Sequence, residues 1–440
     1  MADGDAVGNV LTPAPTDAAS GAEPDNVFTA AVLLAAAAYD STPDAAVARS
    51  MRPLDATDLE LPATGRLEGG TYELRDGVYT HRDADNSAIA HVYVGDIGGA
   101  TTLALAFRGT DEPGDIPDHQ TFTTHYARFA PLVAAVESYA ADPDNGIDRV
   151  LVTGHSLGSA MVTTAMIQEG WIGDDRYLGV AIGAHGTDAS VAATAPDTVT
   201  NLVNFVHTHD FLVLEPEPDD ISFASLGELL ESLSDLTSED SFEPKARVGL
   251  DVWIDTGQIE ILGSSGIDSP DALIDAEHGL GRYAADIAFL AEQGELEPSD
   301  LLSAPSPRFF YVGSDGADDF AQDRDVPSIF ADVGAFPARN FDQRLYARDG
   351  DDEIGGSGGD DFIDGGAGTD VAIYRGATVE YAITSVAGET RVVPAAGTAG
   401  QADGTDTLVN VEMLRFADGE RITLAGVETP DADATETMIV

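Results

Sequence analysis

The sequence predicts an α/β protein: a largely parallel sheet covered by helices, followed by a smaller all-β region. Three observations lead there. Between residues 26 and 300, short β-branched or apolar runs alternate with helical patterns, the order expected when crossover helices join neighbouring strands. After residue 300, Asp, Gly and aromatic residues displace the Ala- and Leu-rich helical segments. From Ala347 to Ile373 the chain repeats every nine residues, with Gly, Asp and an apolar residue in fixed phase.

Taken in order, residues 1–25 are rich in Ala, Asp, Pro and Gly without periodicity and read as a flexible acidic tail. The run Ala30 to Ala38 has the apolarity of a signal-peptide core, but the first basic residue is Arg49, so a buried helix is expected. No apolar stretch reaches the roughly 20 residues that span a bilayer, and no transmembrane segment is expected. The strands expected within 26–300 are Ala90 to Gly95, Thr102 to Phe107, Arg149 to Thr153, Leu178 to Ile182 and Leu202 to Val206. Helical patterns run from Tyr126 to Ala140 and from Ser159 to Glu169. The stretch 301–375 holds the nonapeptide repeats, and 376–440 reads as short strands and turns forming a small β-rich cap.

Composition excludes whole classes of function. The chain carries 78 Asp and Glu against 21 Lys and Arg, a net charge of −57, so a polyanion would be repelled and nucleic acid is not a partner. Such a surplus suits a salty environment, or a chain kept soluble and expanded until cations neutralise it. With no cysteine, neither disulfides nor thiol chemistry is available, and covalent stapling is replaced, if at all, by metal.

Gly154-His155-Ser156-Leu157-Gly158 fits G-x-S-x-G, in which small neighbours let a serine sit on a sharp strand-to-helix turn. The pattern alone is weak, because Gly355-Gly356-Ser357-Gly358-Gly359 fits it too. Context separates them. Ser156 follows the apolar run Val150-Leu151-Val152 and precedes a helical pattern, whereas Ser357 has neither.

A serine hydroxyl needs a base to take its proton, and the base needs an acid to fix its tautomer. On this type of sheet the chain order is serine, acid, histidine. Of nine histidines, His278 is the one that follows every plausible acid. For the acid, Asp210 ends the run Leu202 to Val206 at the carboxyl edge of an expected strand, where ligands gather in open α/β sheets. Asp188, Asp251 and Asp255 compete with it. Oxyanion donors are expected from the N–H of Leu157 and from Thr110, where Leu103 to Phe107 runs into the tight turn Arg108-Gly109-Thr110.

These strings together (Ala106-Phe107-Arg108-Gly109-Thr110, Gly154 to Gly158, Val206-His207-Thr208-His209-Asp210, and His278 with Tyr283) resemble the class 3, fungal-type lipase family of α/β-hydrolases over residues 26–300. The resemblance implies an α/β-hydrolase fold and an oxyanion residue at Thr110. It implies a Ser156, Asp210, His278 triad acting on acylglycerols, phospholipids or related esters, with no organic cofactor. The chain departs from the family in two places. Asp111 to Thr124, where an amphipathic lid is usual, is polar, and Ala184-His185-Gly186 replaces a proline-bearing motif. Phe223, Leu226, Leu229, Leu230, Leu233 and Leu236 form an apolar helical stripe that packs on the core or, as a lid, covers the site and makes transient lipid-interface contact.

The three repeat copies place Gly350 and Asp352, Gly359 and Asp361, and Gly365, Gly366, Gly368 and Asp370 in register. This is the signature of calcium-binding RTX repeats folded as a parallel β-roll. Glycines permit the turns and aspartates supply hard oxygens, so structural calcium is the expected ion. Gly316-Ala317-Asp318-Asp319-Phe320 fits half the pattern. Asp403 to Leu408 and Leu414 to Gly419 resemble the C-terminal portions of RTX proteins. That resemblance implies an uncleaved export signal, the type I secretion machinery as partner and an extracellular location. The rival expectations are a phospholipase A1 or polyesterase on the same triad, and a calcium-dependent surface or adhesion protein with an inactive hydrolase domain.

Overall fold

The computed structural model describes residues 26–39, 50–67, 69–83, 87–110, 121–208, 210, 245–255, 278–303, 307–316, 318–320, 342–356 and 358–424. They fall into two compact units. The first takes its described residues from 26–252 and 278–307, and the second from 253–255 and 308–424.

The first unit is an α/β sheet of mixed direction. Its strands are β1 (Met51–Pro53), β2 (Thr64–Leu67), β3 (Gly70–Arg75), β4 (Val78–Arg82), β5 (Ser87–Ile97), β6 (Ala100–Phe107), β7 (Arg149–His155), β8 (Tyr177–Ile182), β9 (Thr187–Asp188), β10 (Leu202–His207), β11 (Lys245–Ala246) and the first half of β12 (Leu250–Asp255), whose residues 253–255 count with the second unit. The order across the sheet is β2-β3-β4-β5-β6-β7-β8-β10, with β1 on β5 and a separate antiparallel pair of β9 and β11. From β6 through β10 the pairing is parallel; from β2 through β6 it is antiparallel. The expectation of a largely parallel sheet is therefore corrected on one side. There, short polar strands such as β3 bury alternate residues and cover one face only, whereas β8 and β10 are buried along their whole length. Asp76 and Gly77, both at positive φ (51° and 79°), make the two-residue turn between β3 and β4.

Helices α1 (Val27–Ala37), α2 (Phe122–Tyr126), α3 (Ala130–Ala141), α4 (Leu157–Gln168), α5 (Ala189–Ala192), α6 (Leu280–Glu292) and α7 (Pro298–Ser303) accompany this sheet. α1 is the buried helix expected from its Ala/Leu run. Asn26 caps it by accepting the N–H groups of Phe28 and Thr29, and Phe28 meets Phe205 of β10 edge-on at 5.7 Å. The helix expected over Tyr126 to Ala140 is broken. A 3₁₀ turn at Ala127–Phe129 intervenes before Pro131, which lacks an N–H to donate and so opens α3.

The second unit contains β13 (Arg308–Val312), β14 (Asp319–Phe320), β15 (Arg344–Tyr346), β16 (Glu353–Ile354), β17 (Phe362–Asp364), β18 (Val371–Ile373), β19 (Tyr381–Val386), β20 (Glu389–Pro394), β21 (Asp406–Val409), β22 (Met413–Arg415) and β23 (Arg421–Thr423). The chain steps between two parallel ladders. β13, β15, β17 and β21 form one, and β14, β16, β18 and β22 the other. Within the repeats, ladder partners lie two nine-residue periods apart, as Arg344 does from Phe362 and Glu353 from Val371. Leu345, Ile354, Ile363, Ala372, Leu408 and Leu414 form the core of this unit, so the apolar eighth position of each period points inward. β21 and β22, from the stretch read as a cap, pair directly with β17 and β18, while the β19–β20 hairpin and β23 add antiparallel strands.

Among the described residues, no helix is long and apolar enough to cross a membrane.

Candidate functional site

Ser156 lies between β7 and α4 with φ 56° and ψ −127°, a conformation costing a non-glycine residue on the order of 1–3 kcal/mol. The turn is held from both sides. Ser156 donates its N–H to Ile182 O at 3.0 Å, and its own carbonyl accepts from Ser159 N–H at 2.8 Å. A Cβ on Gly154 would run into the Gly158 backbone, and one on Gly158 would strike Phe107 O, so both glycines of the motif are set by close approach of helix to strand. Leu157 is the first residue of α4, where a helix leaves its N–H groups without intrahelical acceptors. The Arg108-Gly109-Thr110 turn packs on the same point: a Cβ on Gly109 would meet Tyr39 OH, His155 O and, at 3.2 Å, Ser156 Cβ. Thr110 and Leu157 are both buried.

His278 and Asp210 meet. Nδ1 of the imidazole is 2.6 Å from Asp210 Oδ2, with both side chains buried. Tyr283, on α6, donates its hydroxyl to the same Oδ2 at 2.8 Å and accepts the N–H of His207 at 2.9 Å. Burial pushes the Asp210 carboxyl up, but the charge and hydrogen bond of His278 and the Tyr283 hydroxyl outweigh it. The group is held below its ordinary value. The carboxylate therefore only accepts, so Nδ1 donates to it and Nε2 is the imidazole nitrogen left outside the pair. That Nε2 is buried and has no hydrogen-bond partner among the described residues.

The imidazole stands against the serine turn. His155, the residue before Ser156, points Nε2 at His278 O over 2.8 Å, and the two rings are 4.7 Å apart. Burial, then the neighbouring His278, hold His155 well below the usual histidine range, so it is neutral. Its Nε2 must donate to the carbonyl, leaving Nδ1 to accept from the Tyr39 hydroxyl at 3.1 Å. Gly183, at φ 55°, leaves the room: a Cβ there would press on His278 Cε1 and the His155 ring. Tyr39 is a support that sequence reading did not name, and Tyr283 was named only as part of the family resemblance, without this role. His155 is the variable residue of the motif itself.

Two of the competing acids, Asp188 and Asp251, are engaged elsewhere. Asp188 is buried against Lys245 Nζ at 2.5 Å and accepts from Thr123 Oγ1 and from the N–H groups of Thr123 and Phe122. Asp251 accepts from Asn204 Nδ2 at 2.9 Å and lies 3.5 Å from Arg247 Nε. Ser357 and the stripe containing Phe223, Leu226 and Leu230 lie outside the described residues.

In the second unit the repeat aspartates stack into two columns. In one, Asp318 N–H donates to Asp352 Oδ1, Asp352 N–H to Asp370 Oδ1, and Asp370 N–H to Glu412 Oε2. In the other, Gln343 N–H donates to Asp361 Oδ1, and Asp361 N–H to Asp406 Oδ1. Asp352, Asp361 and Asp370 are 0%, 2% and 0% exposed, and the second oxygen of each is buried without a hydrogen-bond partner. Burial first, then neighbouring acids, raise these carboxyls, Asp361 to about 8 and Asp370 to about 7; Asp406 rises to about 7 as well. Gly350, Gly359, Gly366 and Gly368 take positive φ in these loops. A Cβ on Gly366 would collide with Arg348 O, and one on Gly365 with Asn410 O. Asp318, Asp406 and Glu412 extend the columns beyond the three repeats. Gly404-Thr405-Asp406 repeats Gly368-Thr369-Asp370 and was the available signal, displaced by the hairpin insertion. Among the described residues, no three His, Asp or Glu side chains gather as a ready metal site.

No protein-family model matches the chain, and no curated protein matches it. Similar solved structures include the extracellular lipase LipA from Serratia marcescens (15% identity, 92% of this chain and 73% of that one, TM-score 0.48). A second is a triacylglycerol lipase described as having a serine protease triad as its catalytic centre (16%, 37% and 61%, 0.25). A third is a mutant form of MDLA from Penicillium cyclopium (18%, 58% and 89%, 0.31).

Proposed function

We propose that this chain is a secreted serine ester hydrolase of the lipase type, built on an α/β-hydrolase fold and cleaving carboxylic esters, acylglycerols foremost, through an acyl-enzyme on Ser156. One observation carries the reading: the buried His278–Asp210 pair lies beside His155, the residue before the strained Ser156, and leaves the imidazole Nε2 without a partner. In this reading His278 Nε2 takes the Ser156 proton as Oγ attacks the acyl carbon, and Asp210 stabilises the imidazolium that results. The N–H groups of Thr110 and Leu157 receive the developing oxyanion. Collapse expels the alcohol, which takes the proton from His278. Water then repeats the sequence on the acyl-enzyme and releases the acid.

The repeat loops fit calcium as a structural ion in a parallel β-roll. Three buried carboxylate oxygens lack partners, their charges repel, and the donors are hard oxygens. With few side chains per gap, backbone carbonyls of the glycine loops would complete the ligand set of Gly350, Asp352, Gly359, Asp361, Gly365, Gly366, Gly368 and Asp370. Calcium supplies charge neutralisation there and converts binding into folding free energy. The segment 376–440 is assigned, on its resemblance to RTX termini, as the signal read by the type I secretion machinery.

The test is a chain-length series of model esters on the parent and on Ser156→Ala, with calcium and with chelator. Ester turnover by the parent and its loss in the variant are expected. Equal rates in both would overturn the assignment of Ser156.

A further inference from the structure

We propose that Arg348 takes the place of a metal ion in the gap between loops 313–318 and 347–352, so that the stack of repeat loops begins with a cation of the protein's own. The inference rests on the calcium reading above and concerns the gap that the Arg348 guanidinium bridges. Arg348 occupies the second position of its period, where the next two copies have Ser357 and Gly366, and it keeps the positive φ of that position, 74°. Its guanidinium reaches the preceding loop. Nη2 is 3.1 Å from Asp315 Oδ1 and Nη1 is 3.5 Å from Gly313 O. A carboxylate and a backbone carbonyl are the oxygens a calcium ion would use.

The acid of that loop differs from its counterparts in the same sense. Asp318 accepts the N–H of Ser314 on Oδ2 at 2.7 Å, and the Ser314 hydroxyl lies 3.1 Å from each of its oxygens. Asp352, Asp361 and Asp370 each leave one buried oxygen without a partner. Loop 313–318 thus satisfies its own acid, and Arg348 supplies the positive charge. The loops that carry Asp352, Asp361 and Asp370 leave one oxygen of each acid unmet. The first gap closes without metal and holds β14 against β16 when calcium is scarce; the later gaps wait for the ion.

Native mass spectrometry of the full chain, stripped by chelator and titrated with calcium chloride, tests this, with circular dichroism in saturating calcium as the check on folding. Arg348→Ser installs the residue that the second copy carries and is expected to bind one more calcium than the parent. Arg348→Lys, which keeps a cation, is expected to bind the same number as the parent. Equal stoichiometry in parent and Arg348→Ser, an added ion in Arg348→Lys, or an Arg348→Ser chain that fails to fold in saturating calcium would each overturn the substitution while leaving the calcium reading standing. A parent that binds no calcium would overturn both.

Discussion

The two units treat buried charge in opposite ways. In the sheet unit two fully buried acids meet partners within the chain: Asp210 has His278 and Tyr283, and Asp188 has Lys245, Thr123 and two backbone N–H groups. Both carboxyls are held below their ordinary value despite burial. In the ladder unit Asp352, Asp361 and Asp370 are equally buried, half satisfied and raised. The difference teaches a division of labour: the first unit meets these buried charges with its own residues, whereas the second leaves buried carboxylate oxygens unmet, which the proposed calcium would finish.

That contrast can be broken at either end. The largest effect is expected for Asp210→Asn, which keeps the shape but favours the wrong His278 tautomer: kcat should fall by about 10⁴, measured on a soluble ester, with calcium stoichiometry unchanged. Lys245→Ala leaves Asp188 buried without its cation and should cost about 3–5 kcal/mol of sheet-unit stability by denaturant unfolding. A cost below 1 kcal/mol would show that the hydrogen bonds of Thr123 and Phe122 suffice.

Acidification should act on the sheet unit through its neutral histidines. Burial, and then Arg108, lower His91 to about 4. The unfolded chain therefore binds a proton below about pH 6.5 that the folded chain refuses until pH 4, and stability falls across that window by about 3 kcal/mol for this residue alone. His91→Gln should flatten the slope. Chelation should act on the ladder unit instead, removing about 2.7 kcal/mol for each site held at 100 times its dissociation constant. Loss of its near-ultraviolet tyrosine signal before the sheet unit melts is the readout. The smallest effect is expected for Tyr283→Phe, which removes the hydrogen bond to the Asp210 carboxylate together with the acceptor of the His207 N–H and should cost about 1.5–3 kcal/mol, seen as a lower kcat.

Much of this was legible in the sequence because apolar runs and fixed spacings report burial directly. Val150-Leu151-Val152 before Gly154 marked a buried strand entering a turn, and the nine-residue phase marked Ile354, Ile363 and Ala372 as one core. β2 to β4 escaped a reading tuned to parallel units, since strands that cover one face only carry polar residues at alternate positions. The Asp76-Gly77 pair was the signal that would have found them. The supporting roles of Tyr39, His155 and Tyr283 were hidden for another reason. Each acts through a single atom, on His155, on the His278 carbonyl and on Asp210 respectively, and no spacing encodes a meeting between residues more than 70 positions apart.

The most direct test of the sheet unit as a complete catalytic device is labelling with a fluorophosphonate ester, followed by peptide mapping, on the parent and on His278→Ala. Stoichiometric modification of Ser156 in the parent and its near absence in the variant is the predicted result. An unlabelled Ser156 in folded protein, or labelling indifferent to His278, would contradict it.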